Sequence, residues 1–493
     1  YSNTTGTVLV GIGHQSLYNN TTGSINTGLG SQALYSNTTG QQNVAVGAYS
    51  QRCNTTANNN TSVGYQALNN NTTGCTNTAV GNLSLSNNTT GVRNTGVGSS
   101  ALSGNCTGNY NTALGYAALI SNQADRNTAI GFNAGNLVTT GSNNSFVGTS
   151  AGSGVGTGSN NVAVGNGAME FAADVSNNVA LGCCAMRSVA ASHNIGIGAN
   201  AMLQSQCSGG IAIGYRSQPV NTTGRFNVSL GWESMCKIET GGCNVSMGVA
   251  SLMNSTTATS SVAIGSYSLE LNTTGSNNVA VGCAALNNNT TGGGNVAVGR
   301  LALYENTTGT SSTAIGDRAL RFSTSQFNTA VGSNSLYSST TGTRNVAIGN
   351  DSLTSNTTGN CNVAIGASAA QSNITGNNNT ALGFAALCAS TTGDSNTAIG
   401  HQTLLLNTTG FCNVVIGAFA RERNLTGANT VAIGVAALQY STGSSLVAVG
   451  HQAFAKLTTG QCSIAIGYNA GLNTTTGNNN YVFGYNALYC NVS

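Results

Sequence analysis

A short motif recurs at an almost constant spacing along the 493-residue chain, and this spacing limits the fold more than any other feature. The motif reads Asn-Val-Ala-Val-Gly at residues 43–47. With small changes it occurs 29 times between Gly13 and Gly484. Of the 28 intervals between its glycines, 23 are 17 residues long and five are 16. Because a fixed period is typical of stacked repeats, we predict one continuous array over residues 1–493, without visible capping units.

We number each repeat from the motif's glycine, which is position 0. Positions −3 and −1 carry Val, Thr, Ile or Leu in most copies, and position −2 carries Ala, Gly or Ser. This alternation predicts a short strand with −3 and −1 on one face and −2 on the other, where a further layer or chain fits closely. Leu, Met or Phe at +4 follows Ala or Ser at +3, and we predict a second short strand there.

These elements together predict the fold class. A glycine and an Asn-rich turn in every repeat exclude an apolar helical period. The chain is therefore expected to be all-β, a parallel β-solenoid of about 29 coils of 16–17 residues. We expect each coil to bury three aliphatic side chains. A stacking step of about 4.8 Å between coils would give a rod on the order of 130 Å long.

Asparagine fills position −4 in 22 of the 29 repeats. We predict that these side chains form a ladder that bonds the backbone of the turns and the amide of the next coil. A ligand-binding role for this row is the alternative interpretation.

The turn at +7 to +10 usually reads Asn-Thr-Thr-Gly, which contains the Asn-x-Ser/Thr acceptor pattern of N-glycosylation. The alternative is that Asn and Thr merely suit a turn. Asn3, Asn227, Asn244, Asn254 and Asn473 are weaker candidates, and no acceptor pattern lies between Ser145 and Val220. The predicted +7 acceptors are Asn20, Asn37, Asn54, Asn71, Asn88, Asn105, Asn221, Asn272, Asn289, Asn306, Asn356, Asn373, Asn407, Asn424 and Asn491.

Charge and hydropathy exclude several classes of partner. Only 5% of residues are charged and the net charge is +3, so the chain carries no strong field for nucleic acid. No run of about 20 apolar residues is present, so no membrane insertion by a helix of this segment is expected. A sleeve of glycans on the turns would keep such a weakly charged surface soluble.

The fourteen cysteines suit an oxidising compartment, although intracellular thiols remain an alternative. We predict three disulfides from positions that flank the turn. Adjacent Cys183 and Cys184 are not expected to face the same way on a strand. The predicted pairs are Cys236 with Cys243, Cys53 with Cys75, and Cys388 with Cys412.

No residue pattern indicates catalysis, a metal or a cofactor. The four histidines are scattered, and the 11 acidic residues show no paired placement for acid/base chemistry. Cys-x-x-Cys spacings for zinc are missing, as are the Asp-bearing turns of calcium-binding β-rolls. We therefore expect no enzyme and no catalytic residues.

The repeats at residues 345–349 and 362–366, both Asn-Val-Ala-Ile-Gly, resemble the repeat of the head domains of trimeric autotransporter adhesins. Similar arrays occur in bacterial surface proteins and phage tail fibres. The resemblance implies a left-handed parallel β-roll, commonly a homotrimer, displayed outside the cell and used for attachment. The coils of 16–17 residues here are longer than in those heads.

Three functional classes follow from these observations. The first is an extracellular structural or adhesive fibre that carries N-glycans and self-associates, either end to end or as a homotrimer. The second is a module that binds glycans or ice through rows of threonine. The third, a polysaccharide-cleaving tail-spike enzyme, would need clustered carboxylates in a groove, and the sequence does not favour it.

Overall fold

A computed structural model describes residues 2–489 of the chain, which are all-β and contain no helix. Each repeat contributes one strand of three residues, at positions −3 to −1. The chain divides into two compact units, Tyr1–Cys243 and Asn244–Ser493. Each unit is a parallel β-solenoid, as the spacing of the motif predicts.

The first unit contains fourteen strands that pair in parallel with their neighbours in the sequence. Val44 lies beside Thr61, and Val46 lies beside Val63, so equivalent residues of successive coils form rows. The strands are β1 (Val10–Ile12), β2 (Thr27–Leu29), β3 (Val44–Val46), β4 (Thr61–Val63), β5 (Thr78–Val80), β6 (Thr95–Val97), β7 (Thr112–Leu114), β8 (Thr128–Ile130), β9 (Ser145–Val147), β10 (Val162–Val164), β11 (Val179–Leu181), β12 (Ile195–Ile197), β13 (Ile211–Ile213) and β14 (Val228–Leu230).

The second unit repeats this arrangement with fifteen strands. Val346 lies beside Val363 in the same parallel register. The strands are β15 (Val245–Met247), β16 (Val262–Ile264), β17 (Val279–Val281), β18 (Val296–Val298), β19 (Thr313–Ile315), β20 (Thr329–Val331), β21 (Val346–Ile348), β22 (Val363–Ile365), β23 (Thr380–Leu382), β24 (Thr397–Ile399), β25 (Val414–Ile416), β26 (Val431–Ile433), β27 (Val447–Val449), β28 (Ile464–Ile466) and β29 (Tyr481–Phe483).

The glycine at position 0 is required by the close approach of successive coils. Gly30 has a φ of 136°, a backbone conformation that residues with a side chain rarely adopt. A Cβ atom added there would lie 2.6 Å from the carbonyl oxygen of Gly47 in the next coil. The stack therefore tolerates no side chain at this row, which explains why the glycine marks every repeat.

The interior of each coil receives position −2, and not positions −3 and −1. Ala45 and Ala79 are fully buried, whereas Val44 and Val63 on the flanking rows are 37% and 39% exposed. The prediction that −2 faces outward toward another layer was therefore wrong. A coil of 16–17 residues is narrow, and its interior is shared by Leu at +4 and by asparagine side chains in most coils, so a small residue usually occupies −2.

Positions +3 and +4 do not form the predicted second strand. Gln32 at +2 and Leu34 at +4 have φ values of 55° and 52°, in the left-handed region. Their amides still bond neighbouring coils, because Gln32 N donates to His14 O at 2.8 Å and Leu34 N donates to Ser50 O at 3.1 Å. The Leu34 side chain is fully buried, so +4 supplies one of the buried aliphatic side chains that we expect in each coil.

One region of the first unit exchanges large and small residues between these two interior rows. Phe146 replaces the usual alanine at −2, and Gly135 and Gly152 replace leucine at +4 on either side of it. Phe146 is fully buried, and a Cβ atom added at Gly135 would lie 2.9 Å from its Cδ2 atom. The phenyl ring therefore fills the space that leucine occupies in other coils.

Candidate functional site

The asparagines of the Asn-Thr-Thr-Gly turn point into the interior of the coil. Asn491 lies outside the described residues. All the other predicted +7 acceptors are at most 1% exposed. The two threonines that follow are on the surface side of the turn, where Thr21 is half-buried and Thr22 is exposed. The turn therefore presents its second threonine to solvent, while the first threonine bonds the next coil, as Thr21 Oγ1 does by donating to Thr38 O at 2.9 Å.

Where the preceding coil also carries asparagine at +7, both hydrogens of the +7 amide are used in a ladder along the interior. Asn37 Nδ2 donates to Asn20 Oδ1 at 2.7 Å and to Gly40 O at 3.0 Å. Asn88 Nδ2 makes the same two bonds, to Asn71 Oδ1 at 2.7 Å and to Gly91 O at 3.0 Å. An N-glycan replaces one of these hydrogens with a sugar, for which the interior has no room.

The predicted glycosylation at +7 therefore conflicts with the folded structure. The physical reason is that Asn suits the acceptor pattern and an interior amide ladder equally well. Of the weaker candidates, Asn227 and Asn244 are also fully buried. Asn3 is exposed, and Asn254 and Asn473 are half-buried with their amides bonded to neighbouring carbonyl oxygens.

The segment without acceptor patterns has a simple explanation in this geometry. Its +7 positions carry Val155, Ala172 and Val189, which are fully buried within one apolar core cluster, and Ser205, which is also fully buried. The same interior row is thus filled either by amides or by aliphatic groups.

The second asparagine ladder, at position −4, is confirmed. Asn43 N and Nδ2 both approach Asn26 Oδ1, at 2.9 and 3.2 Å. Asn43 Nδ2 also donates to Ala57 O in the turn of its own coil, at 2.8 Å. This row therefore holds the turn closed and links it to the next coil, as the sequence analysis predicts.

The outward face of the strands is uncharged and largely apolar, with threonine or serine at −3 in 11 of the 29 strands. None of the 29 strands contains a charged residue, and rows −3 and −1 carry mainly Val, Ile, Leu and Thr. Leu29, Ile130 and Val164 in the first unit are 43%, 38% and 39% exposed. We call this surface, rows −3 and −1 of each unit, the outward sheet face.

Exposed aromatic rings form stacks at position +1, next to the outward sheet face in the sequence. The rings of Tyr116 and Phe132 stack with centroids 5.4 Å apart, and those of Tyr468 and Tyr485 are 5.2 Å apart. The single tryptophan, Trp232, stacks on Tyr215 in the same way. Aromatic residues of this kind are enriched at protein interfaces.

The predicted disulfides are absent, because every cysteine that the structure describes has a free thiol. Cys75 lies against Asn58 N at 3.3 Å, and Cys388 lies against Gln371 Oε1 at 3.6 Å. In both cases the partner occupies the same row of the preceding coil. The three predicted pairs, Cys53 with Cys75, Cys236 with Cys243 and Cys388 with Cys412, each join a residue at +5 or +6 to one at +11 or +12, and none of them is formed.

The ionisable residues serve contacts between coils. Arg187 pairs with Glu170 at 2.8 Å, and Arg300 pairs with Asp317 at 2.9 Å, each partner one coil away. His401 stacks on Phe384, and His451 stacks on Tyr468. Within residues 2–489, no group of three or more His, Cys, Asp or Glu could hold a metal ion. Over the same range the structure contains no helix that is long and apolar enough to cross a membrane.

Arg421 is a fully buried cation at position +4, where other coils have leucine. Burial lowers its pKa to about 9, so the guanidinium is still protonated at neutral pH. Its Nη2 donates to Gly443 O at 2.5 Å, and its Nη1 donates to Asn413 Oδ1.

The surroundings of Arg421 explain why a cation is buried there. In many coils the turn carbonyl equivalent to Gly443 O accepts from both asparagine ladders, as Gly40 O does from Asn26 and Asn37. In this coil the two ladder positions carry Thr430 and Ser441, which supply no amide. Arg421 therefore provides the donor that the sequence of the next coil has lost.

Comparison with known proteins gives no family for this chain. A scan against protein-family models found no match, and a search of curated proteins found no significant relative.

Proposed function

We propose that this protein is a non-enzymatic structural or adhesive fibre whose coils assemble side by side with further copies of the same chain through the outward sheet face. The observation that carries the proposal is the uncharged and largely apolar outward sheet face. Fourteen strands at about 4.8 Å per step and about 10 Å per strand give it an area on the order of 600 Å² in the first unit alone. Monomeric proteins rarely expose a contiguous apolar patch of more than about 300–600 Å².

The partner is argued from the regularity of the face. A second copy offers rows of the same residue types at the same spacing, so side chains of one face fit between those of the other along its length. Stable interfaces bury about 800 Å² per partner, a size that this face approaches within a single unit. The neighbouring aromatic stacks at +1 would extend the contact.

Attachment and an extracellular location are supported by the resemblance to adhesin heads. The threonine at +9, which is exposed in the Asn-Thr-Thr-Gly turns, supplies the hydrophilic side of the proposed fibre. Glycans at +7 are not part of this proposal, because those amides are buried.

The test is the state of assembly in solution. Val63, Val80 and Val97 lie on row −1 of three successive coils, and their joint replacement by lysine places three charges on the outward sheet face. We expect the wild type to sediment as an oligomer and this variant as a monomer. The matched control places lysine at Thr56, Thr73 and Thr90, exposed turn positions of neighbouring coils, and should leave the oligomer intact. A monomeric wild type, or equal loss of assembly in the control, would rule out assembly through this face.

A second function is favoured by one feature of the same face. Strands β4 to β8 carry threonine at −3 in five successive coils: Thr61, Thr78, Thr95, Thr112 and Thr128. A flat row of hydroxyls and methyl groups at a regular spacing is suited to ice or to a glycan. This alternative predicts a monomer that slows ice recrystallisation and loses that activity on Thr95→Lys, whereas the fibre proposal predicts an oligomer without it.

A further inference from the structure

Two adjacent thiols lie side by side on the surface of the first unit. Cys183 and Cys184 directly follow Gly182, the position-0 glycine after β11, and so lie at positions +1 and +2. Their sulfur atoms are 3.6 Å apart. Cys184 has a φ of 53°, and this left-handed conformation after the bend brings its side chain toward that of Cys183. The expectation that the pair cannot face the same way applies to a strand, and these residues lie outside one.

The peptide between the two cysteines is part of the hydrogen-bond ladder. Cys184 N donates to Asn166 O of the preceding coil at 2.9 Å, and Asn200 N of the following coil donates to Cys183 O at 3.0 Å. One peptide group therefore links three successive coils. Any change that rotates it breaks both bonds.

We propose that Cys183 and Cys184 form a redox site, which low-molecular-weight disulfides convert reversibly to a vicinal disulfide and which loosens the ladder locally when it is oxidised. The inference does not depend on the proposed fibre.

The chemistry requires two thiol–disulfide exchanges. The Cys183 thiolate attacks one sulfur of a disulfide RSSR and releases RS⁻, which leaves a mixed disulfide on Cys183. The Cys184 thiolate then attacks Cys183 Sγ and releases the second RS⁻. The two protons that the cysteines lose are taken up by the two released thiolates, so the protein dithiol is oxidised and RSSR is reduced to two RSH.

The order of attack follows from exposure. Cys183 is exposed and Cys184 is half-buried. Burial raises the pKa of the Cys184 thiol, with a further contribution from its contact with Cys183, so Cys184 is the poorer nucleophile at the start. Once Cys183 carries the mixed disulfide, the sulfur at 3.6 Å is positioned to resolve it.

Geometry makes the bond reversible. Adjacent Cα atoms are about 3.8 Å apart, whereas disulfide-linked Cα atoms are usually about 4.4–6.8 Å apart. A ring closed over one peptide is therefore strained and readily reduced, as is typical of regulatory disulfides. Closing it twists the peptide that bonds Asn166 and Asn200.

The first experiment treats the folded protein with oxidised glutathione, blocks remaining thiols and maps peptides by mass spectrometry. We expect the peptide with Cys183 and Cys184 to lose two hydrogens without retaining glutathione. Cys283 is the internal control, because it is exposed at the same +1 position but is followed by Ala284. It should retain glutathione. Glutathione retained equally at Cys183, or no reaction there under conditions that modify Cys283, would overturn the proposal.

A variant separates the two steps. Cys184→Ser keeps the attacking thiol and removes the resolving one, so glutathione should accumulate on Cys183.

Hydrogen exchange measures the structural effect of oxidation on the wild type. The amides of Cys184 and Asn200 should exchange at least tenfold faster in the oxidised wild type than in the reduced protein, and return to the slow rate after reduction. Unchanged exchange on full oxidation would refute the coupling to the ladder.

Discussion

The two parts of the first unit that surround Asn71 and Val155 fill the same interior row in opposite ways. Around Asn71 the +7 side chains form an amide ladder, in which each Nδ2 donates to the preceding Oδ1. Around Val155 the row is aliphatic and packs within the apolar core cluster. The backbone thus directs the +7 side chain into the interior. Whether that side chain is polar or apolar needs to match only the +7 side chains of the two neighbouring coils.

The junction between the two parts shows how an amide ladder ends. Asn122 Nδ2 donates to Asn105 Oδ1 at 3.3 Å, continuing the row. The next +7 residue is Val138, which cannot donate to Asn122 Oδ1. Asn127 from the other ladder donates to it instead, at 2.9 Å. The amide row therefore closes without leaving a buried oxygen unpaired at this point.

The largest effect is expected from Phe146→Ala, in the apolar part. The substitution leaves a cavity between Gly135 and Gly152, so the free energy of unfolding should fall by about 3–5 kcal/mol. Urea denaturation followed by the fluorescence of Trp232, in the same unit, measures this change. Adding Gly152→Leu restores the usual alanine and leucine arrangement and should recover at least half of the loss. No recovery would show that packing volume does not explain the exchange of residues.

Asn71→Val tests the amide part by inserting an aliphatic group into it. Asn54 Oδ1 then loses its donor and Asn88 Nδ2 loses one acceptor, so unfolding should become easier by about 2–5 kcal/mol. The reverse change, Val155→Asn, places an amide between Val138 and Ala172 and should also destabilise the unit. If either substitution were neutral in the Trp232 assay, the interior row would not need matched neighbours.

Arg421 tests whether a cation can replace a missing amide. Arg421→Leu should lower the stability of the second unit by about 1–3 kcal/mol, because Gly443 O and Asn413 Oδ1 lose donors. In a Ser441→Asn background the same change should be neutral or stabilising. The introduced asparagine would donate to Gly443 O in place of the arginine. Asn122 shows this bond, because it lies at +7 of another 16-residue repeat and donates to Ala124 O. Hydrogen exchange of the amides near Gly443 measures the stability change in both backgrounds. An equal loss of stability in the two backgrounds would contradict the idea that Arg421 replaces a missing amide donor.

The smallest effect concerns Asp174, on the surface of the apolar part. Thr157 N and Oγ1 donate to its carboxylate at 2.8 and 3.0 Å, and these bonds lower its pKa. A lowered folded pKa adds stability above the unfolded value of 3.8, and this stability is lost as the pH falls through the folded value. The wild type should therefore unfold at a slightly higher temperature than Asp174→Asn at pH 7, with the difference vanishing in acid. A difference independent of pH would contradict this origin.

The sequence predicts the strands well because alternation and glycine spacing act locally. It does not tell which face of a strand is inside, since rows of Ala at −2 and of Val at −1 are both apolar. The second predicted strand failed because left-handed φ angles at Gln32 and Leu34 depend on bonds to other coils. Such conformations leave no trace in residue type.

The burial of the turn asparagines had a detectable signal in the sequence. Ser339, Ser390 and Leu457 replace asparagine while Thr-Thr-Gly persists, and Val138 and Val155 occupy the same position elsewhere. A surface acceptor site has no reason to alternate with valine, whereas an interior position does. The contact between Cys183 and Cys184 had no comparable signal, because it depends on the bend after one particular glycine.

The equivalence of rows has a consequence for how such a chain changes length. Within the amide part of the first unit, residues 17 apart make the same bonds with the same neighbours. If the repeat that contains Asn54 were excised, Asn37 would bond the partner that Asn54 had, and each ladder would continue without a gap. Recombination between similar repeats in the gene can therefore shorten or lengthen the protein by whole coils without creating a new interior.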